Sequence, residues 1–163
     1  VSDLQELGHH AESFASSEKA DWSTRAAGVL LVPELSEPLE LDFAAMESLK
    51  GWIRKGGHLL VCGDYFGHNG RFLNSMFGWS LQGVLSYGTP SRGEECGIFC
   101  KGPQRLEVNP EVSCYAGGLL PAGAQAVYRD AGSVCVFTAE LGSGRVTYLG
   151  FDWYNTTRRN WVQ

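Results

Sequence analysis

Short apolar runs at Val29–Val32 and His58–Cys62, and a strand-like stretch at Val146–Phe151 carried by Val146, Tyr148 and Leu149, set the rhythm of this chain. A run of that length without polar alternation reads as a strand covered on both faces, as in a parallel sheet. Between the first two, Leu39 to Lys55 carries Phe43, Met46, Leu49, Trp52 and Ile53 at spacings of three and four, which predicts an amphipathic helix with its apolar stripe on the core. Asp42 is placed to cap that helix, and Gly56-Gly57 to stop it. Strand, helix and strand joined by short links predict a right-handed parallel crossover. Pro33 ends the first strand and Gly63 the second.

Elsewhere the pattern is weaker. Ser2 to Phe14 reads as an opening helix, and Trp22 as the anchor of a polar connection. Arg71 to Phe77 suits one or two helical turns, with Phe72, Leu73, Met76, Phe77 and Trp79 covering a sheet face. From Gly83 to Gly118 scattered Gly, Pro and Ser predict an irregular excursion with short strands, Leu106–Val108 among them. Ala126–Arg129 and Val134–Ala139 flank Asp130-Ala131-Gly132-Ser133, a hairpin turn, and Gly142-Ser143-Gly144 turns into the last strand. Trp153, Tyr154 and Trp161 open a polar-aromatic tail that resembles the start of a helix.

Composition narrows the possibilities. With 163 residues, 44% hydrophobic and 12% aromatic, the chain has the length of one domain and the material for a core. A net charge of −5 with no basic run argues against a nucleic-acid or anionic-membrane surface. No apolar stretch approaches the roughly 20 residues that span a bilayer, so no transmembrane segment is expected. Because the sequence opens at Val1 without a signal pattern, it reads as a single domain over residues 1–163 taken from a longer chain. Of the five cysteines, Cys96 and Cys100 suit a disulfide with one another or from either to Cys114, whereas Cys62 and Cys135 read as small hydrophobes inside strands. CxxxC with no second close pair and no nearby histidine is a poor zinc pattern, and neither a metal nor a cofactor is expected. Asn155-Thr156-Thr157 is a glycosylation acceptor pattern, which leans the reading toward a secreted or extracellular protein.

Candidate chemistry gathers where strands end. Glu34, Asp64 and Asp152 each follow a predicted parallel strand at its C-terminal end, where open α/β sheets bind ligands. Three carboxylates on one edge could hold a hard cation or share a proton. The plainer reading is that they cap helices or tie down loops through backbone N–H groups.

The GGHLLVCGDYFGHN segment and the terminal GSGRVTYLGFDW, set in this alternation of buried strands, resemble the class I glutamine amidotransferase-like superfamily, particularly its ThuA-like and non-amidotransferase branches. That resemblance, over about Gly28 to Asn155, implies an α/β fold: a three-layer flavodoxin-like sandwich with a mostly parallel sheet and a C-terminal β-hairpin. In active amidotransferases the strand ends in a tight turn carrying a nucleophilic cysteine, then leucine, glycine, histidine and glutamine. Phe66, Gly67, His68 and Asn69 match that tail, and Tyr65 occupies the nucleophile's position. A phenol with no base to activate it and no histidine after His68 cannot complete a triad, so no catalytic residue is assigned. Two functions stay open. One is a non-catalytic module for a protein partner or neighbouring domains, with Phe66 and Trp79 as interaction residues. The other is a carbohydrate-binding or hydrolase-like domain taking a sugar at an edge formed by Glu34, Asp64, Tyr65, His68, Asn69 and Asp152, since aromatic rings stack on sugar faces.

Overall fold

The computed structural model describes residues 22–94, 96–106 and 112–151. The expected helix over Ser2–Phe14, the carboxylate of Asp152, the Asn155 pattern and the aromatic tail lie outside those residues, as does most of the Leu106–Val108 run.

The first half follows the apolar pattern. Strand β1 (Val29–Val32) leads through helix α1 (Phe43–Arg54) to β2 (His58–Cys62), and β1 pairs β2 in parallel with Val29 opposite His58. Asp42 caps α1, accepting the N–H of Ala45 at 2.8 Å. At the other end Gly56 takes a φ of 113°, and a Cβ on Gly57 would stand 2.4 Å from the Trp52 ring, so the two glycines both stop the helix and let the indole pass. Trp22 packs on Trp52 with ring centroids 5.6 Å apart, and its backbone N–H donates to Ser48 Oγ. Of the predicted stripe, Leu49, Trp52 and Ile53 are buried, while Phe43 in the first turn is exposed.

Helix α2 (His68–Phe77) starts three residues earlier than the pattern predicts, and the excursion after it holds β3 (Gly83–Ser86), β4 (Ser91–Arg92) and a 3₁₀ turn at Gly97–Phe99. Then come β5 (Val112–Ala116), β6 (Gln125–Asp130), β7 (Ser133–Leu141) and β8 (Gly144–Leu149). The main path across the eight-stranded sheet is β1-β2-β8-β7-β5-β3, with β6 on β7 and β4 on β6.

This overturns the expectation of a mostly parallel, three-layer flavodoxin-like sandwich. Among the described residues only β1–β2 and β2–β8 are parallel; β3–β5, β4–β6, β5–β7, β6–β7 and β7–β8 are antiparallel. A parallel return needs a crossover of about a dozen residues, and β6, β7 and β8 are joined by short turns instead; β3–β5 and β4–β6 pair antiparallel across longer connections. Ala131 and Gly132, with φ of 45° and 88°, close the β6–β7 hairpin, and Gly142, with φ of 64°, sits in the β7–β8 turn.

The layering differs accordingly. Both helices pack on one face, where Leu49, Trp52, Ile53, Phe72, Leu73 and Met76 meet Leu59, Val61, Phe137, Val146 and Tyr148 of the sheet. On the opposite face a second cluster joins Cys62, Val112, Val127, Val136 and Leu149 to Cys96 and Leu106 from the 88–106 excursion, while Val29 and Leu31 of β1 stay exposed. No helix among the described residues is long and apolar enough to cross a membrane.

The cysteines sort in a way the sequence only half reveals. Cys96 bridges Cys100, and Cys114 bridges Cys135, the residue read as a small hydrophobe. Cys135 is the extra residue of a bulge: Tyr128 pairs with Val136 but Arg129 with Val134. At that point β7 leaves β8 for β5, so the bridge ties β5 to β7 where the ladder changes partner. Cys62 takes part in neither disulfide and is buried.

Candidate functional site

The sequence places its candidates at the end of β2, and the geometry there begins with two glycines. Gly63 and Gly67 have φ of 66° and 72°, so the chain leaves the strand, turns and enters α2 using the residues that adopt left-handed backbone without strain. Gly63 gives its N–H to Leu149 O of β8, and Gly67 gives its own to Asp64 O. Tyr65, between them, does not share that conformation; Ala131 is the one non-glycine residue with positive φ among the described residues. The nucleophile of a strand-to-helix elbow stands on a sharp, strained turn. Here the positive-φ positions fall to glycines, and the turn stores no such strain.

Asn69 binds the turn from beneath. Its buried Nδ2 donates to Pro33 O at 3.1 Å, Cys62 O at 2.8 Å and Gly63 O at 2.9 Å, joining the ends of β1 and β2. Glu34 holds the upper side, its Oε1 accepting the N–H of Tyr65 while its side chain fills the space a Cβ on Gly63 would need. Asp64 accepts the Gly70 N–H at 3.0 Å on Oδ1 and the Tyr115 hydroxyl at 2.9 Å on Oδ2. Both carboxylates thus make the backbone ties of the plainer sequence reading. Asp64 in addition meets a buried phenol from β5, and a Cβ on Gly70 would stand 2.7 Å from its Oδ2.

Burial pushes the Asp64 carboxyl above its usual range, opposed by the hydrogen bonds from Gly70 and Tyr115, the Asn69 backbone and the charge of His68. The Tyr115 phenol is raised by burial and by the Asp64 charge beside it, so it stays a donor. A carboxyl whose folded pKa lies above its unfolded value adds stability in its protonated form, and that contribution is lost as pH rises through the folded value. Asp64→Asn keeps an acceptor for Gly70 and removes the charge. Its stability relative to the parent should therefore rise between pH 4 and pH 7, reaching about 1 kcal/mol at neutral pH. Urea midpoints at the two pH values check this; a difference that stays flat or shrinks with pH would show that the charge is not held against a desolvation cost.

Around Asp64 opens a cleft of about 350 Å³ between α2 and β3, lined by Tyr65, Phe66, Arg71, Val84, Leu85 and Tyr115 among others. Four apolar or aromatic side chains stand out of its walls: Tyr65 is 59% exposed, Phe66 55%, Val84 42% and Leu85 45%. The Tyr65 and Phe66 rings meet edge to face at 5.2 Å, and His68 stacks on Phe66 at 6.2 Å. Trp79 is placed elsewhere. It is half-buried, stacks on Phe77 at 4.6 Å and lines a separate depression with Lys50, Arg54 and Glu140. Among the described residues no three of His, Cys, Asp and Glu gather as a metal cluster.

Sequence reasoning missed Tyr115, Gly83 and Leu85. Each lies in the stretch without periodicity, and only the β3–β5 register, Gly83 opposite Tyr115 and Leu85 opposite Ser113, brings them to the cleft.

No protein-family model matches the chain, and no curated protein does. Solved structures do share its fold at a distance. The cytoplasmic protein STM1381 from Salmonella typhimurium is 11% identical over 74% of this chain, with a TM-score of 0.55. Exo-β-1,4-mannosidase Op5Man5 from an Opitutaceae bacterium is 17% identical over 91%, with a TM-score of 0.56. A ThuA-like protein from Bacteroides uniformis is 14% identical over 81%, at a TM-score of 0.44 too low to weigh. The chain spans 54% of STM1381 and 24% of the mannosidase. At these identities the likeness concerns the fold alone.

Proposed function

We propose that this domain is a non-catalytic, amidotransferase-like α/β module that works by binding a protein partner or neighbouring domain, with the Asp64–Asn69 turn and the cleft beside it as the working surface. The observation that carries this reading is Tyr65. It stands at the nucleophile's position with an unstrained φ and an exposed ring, whose described ring contact is Phe66. Chemistry at a turn needs a pre-set, activated nucleophile, whereas binding needs exposed rings on a rigid frame. The bonds of Asn69, Glu34 and Asp64 supply the frame.

The test is an assay of ammonia release from glutamine by the purified chain, in which no release above the blank is expected. Release that Tyr65→Phe abolishes would show the turn to be an active site. The second reading, a sugar-binding cleft, draws on one observation: the Asp64 carboxylate and the Tyr65 and Phe66 rings line the same cleft. Titration with methyl glycosides, followed by the chemical shifts of those three residues, separates it from the first.

A further inference from the structure

Strand β3 is the end of the sheet's main path, and its outer edge has no strand partner among the described residues. Its register fixes which backbone groups face that edge. Ala116 donates its N–H to Gln82 O, so Gln82, Val84 and Ser86 alternate as the residues bonded to β5, while Gly83 and Leu85 turn their N–H and C=O outward. Ser113, opposite Leu85, agrees: its N–H goes to Gly150 O on its other side. Folds commonly guard such an edge with a charge, a proline or a bulge. The stretch Gly83-Val84-Leu85-Ser86 carries none of these.

The groove beside this edge is the cleft between α2 and β3. On its face Gly83 lies next to Tyr115 in the β5 register, and Tyr115 holds Asp64. An ideal Cβ on Gly83 would be 3.9 Å from Asp64 Oδ2, so the missing side chain leaves the carboxyl open toward the free edge. A residue of an added strand lying beside Gly83 projects its side chain to that same face, as neighbours across a ladder do. Leu85 and Phe66 are apolar walls for the positions around it. Arg71 lines the same cleft and His68 lies near, but among the described residues no Lys or Arg forms an ion pair with Asp64, and the whole chain carries a net charge of −5. Charge complementarity favours a cationic occupant over a second copy of this acidic chain.

We infer that β3 accepts an extended peptide from a partner protein by strand addition, with a Lys or Arg of that peptide beside Gly83 and over Asp64 and apolar residues at alternate positions against Leu85 and Phe66. This rests on the binding role proposed above and names its mode. The backbone of Gly83 and Leu85 supplies affinity without regard to sequence, and the Asp64 and Phe66 positions supply selectivity.

A displayed library of random decapeptides selected on the intact chain tests the inference. Enriched peptides should combine apolar alternation with one basic residue. Leu85→Pro removes an outward N–H without breaking a bond to β5, and it should weaken a chosen peptide at least tenfold. Methylating the peptide amide that meets the edge should do the same, which covers the case in which the proline variant fails to fold. Asp64→Asn should weaken the lysine peptide but not its norleucine analogue. Binding that resists both Leu85→Pro and methylation yet is lost in Phe66→Ser would overturn strand addition and leave the proposed surface standing. No enriched peptide, with methyl glycosides moving the Tyr65 and Phe66 signals, would overturn it in favour of a sugar. Self-association abolished by Leu85→Pro would replace the peptide by a second copy. Peptide binding untouched by every one of these groove variants would overturn the inference and the proposed surface together.

Discussion

Gly144→Ala is expected to destabilise the folded chain by more than about 3 kcal/mol. Gly144 opens β8 against the place where α1 hands over to β2, and a Cβ there would stand 2.0 Å from Ile53 O and 2.2 Å from Gly57 O. Those are backbone oxygens, fixed by the end of a helix and the start of a strand, so no side chain can swing aside. The neighbouring bonds, Ser143 N–H to Arg54 O and Arg145 N–H to Gly57 O, hold the two backbones at that distance. Gly51→Ala provides the opposite case. It lies in the interior of α1 with nothing within 4 Å of its would-be Cβ, and the change should stabilise by about 0.5–1 kcal/mol through helix propensity alone. Urea midpoints of the two variants should move in opposite directions. A Gly144→Ala midpoint at the parental value would refute the placement of β8 against α1.

Replacing both Cys114 and Cys135 by alanine should cost about 3 kcal/mol, because their bridge closes a loop with a sequence separation of 21. For a chain of this size that lowers the melting temperature by roughly 10 °C. The Cys96–Cys100 bridge, with a separation of 4, should contribute about 1 kcal/mol less by the same reasoning. Access separates the two as well. Cys114 and Cys135 are fully buried on the second core face and Cys100 is exposed, so a mild reductant should open Cys96–Cys100 first, with a fall in melting temperature of roughly 6 °C, before the second bridge yields and the larger fall follows. Mass spectrometry of alkylated samples along a reductant series, read beside thermal melts, checks both steps. Loss of Cys114–Cys135 without a fall in melting temperature would mean that the bulge is held by packing instead.

What the sequence discloses is local. The runs at Val29–Val32 and His58–Cys62, the helix between them and its Asp42 cap are each specified by neighbours within a few residues, and all of them form, although Val29, Leu31 and Phe43 are exposed where the pattern put them in a core. The loop ties of Glu34 and Asp64 follow from the same short-range chemistry. Sheet direction is not local in that sense. An apolar run gives a strand and not its neighbours or their direction, so the last strand could be read while its place beside β2 and the antiparallel character of the rest went unread. The partner of Cys135 lay beyond reach for a related reason: a bulge shifts register by one residue, and nothing in Val134-Cys135-Val136 announces it. The cleft needed both kinds of information. Asp64 was legible as a residue after a strand, but its phenol comes from 51 positions further on.

The position of β8 between β2 and β7 also sets the order in which the sheet can be assembled. Before residues 144–149 exist, β1 has β2 as its partner in the described sheet and nothing else, and two parallel strands under one helix bury too little to persist. During synthesis, therefore, residues 29–62 wait for residues 144–149 before β2 gains its second strand partner. The β6-β7-β8 meander needs no such wait, since each of its strands pairs the next through a turn of a few residues. The amino-terminal segment that supplies the recognisable turn is thus the late arrival, docking onto a template made last.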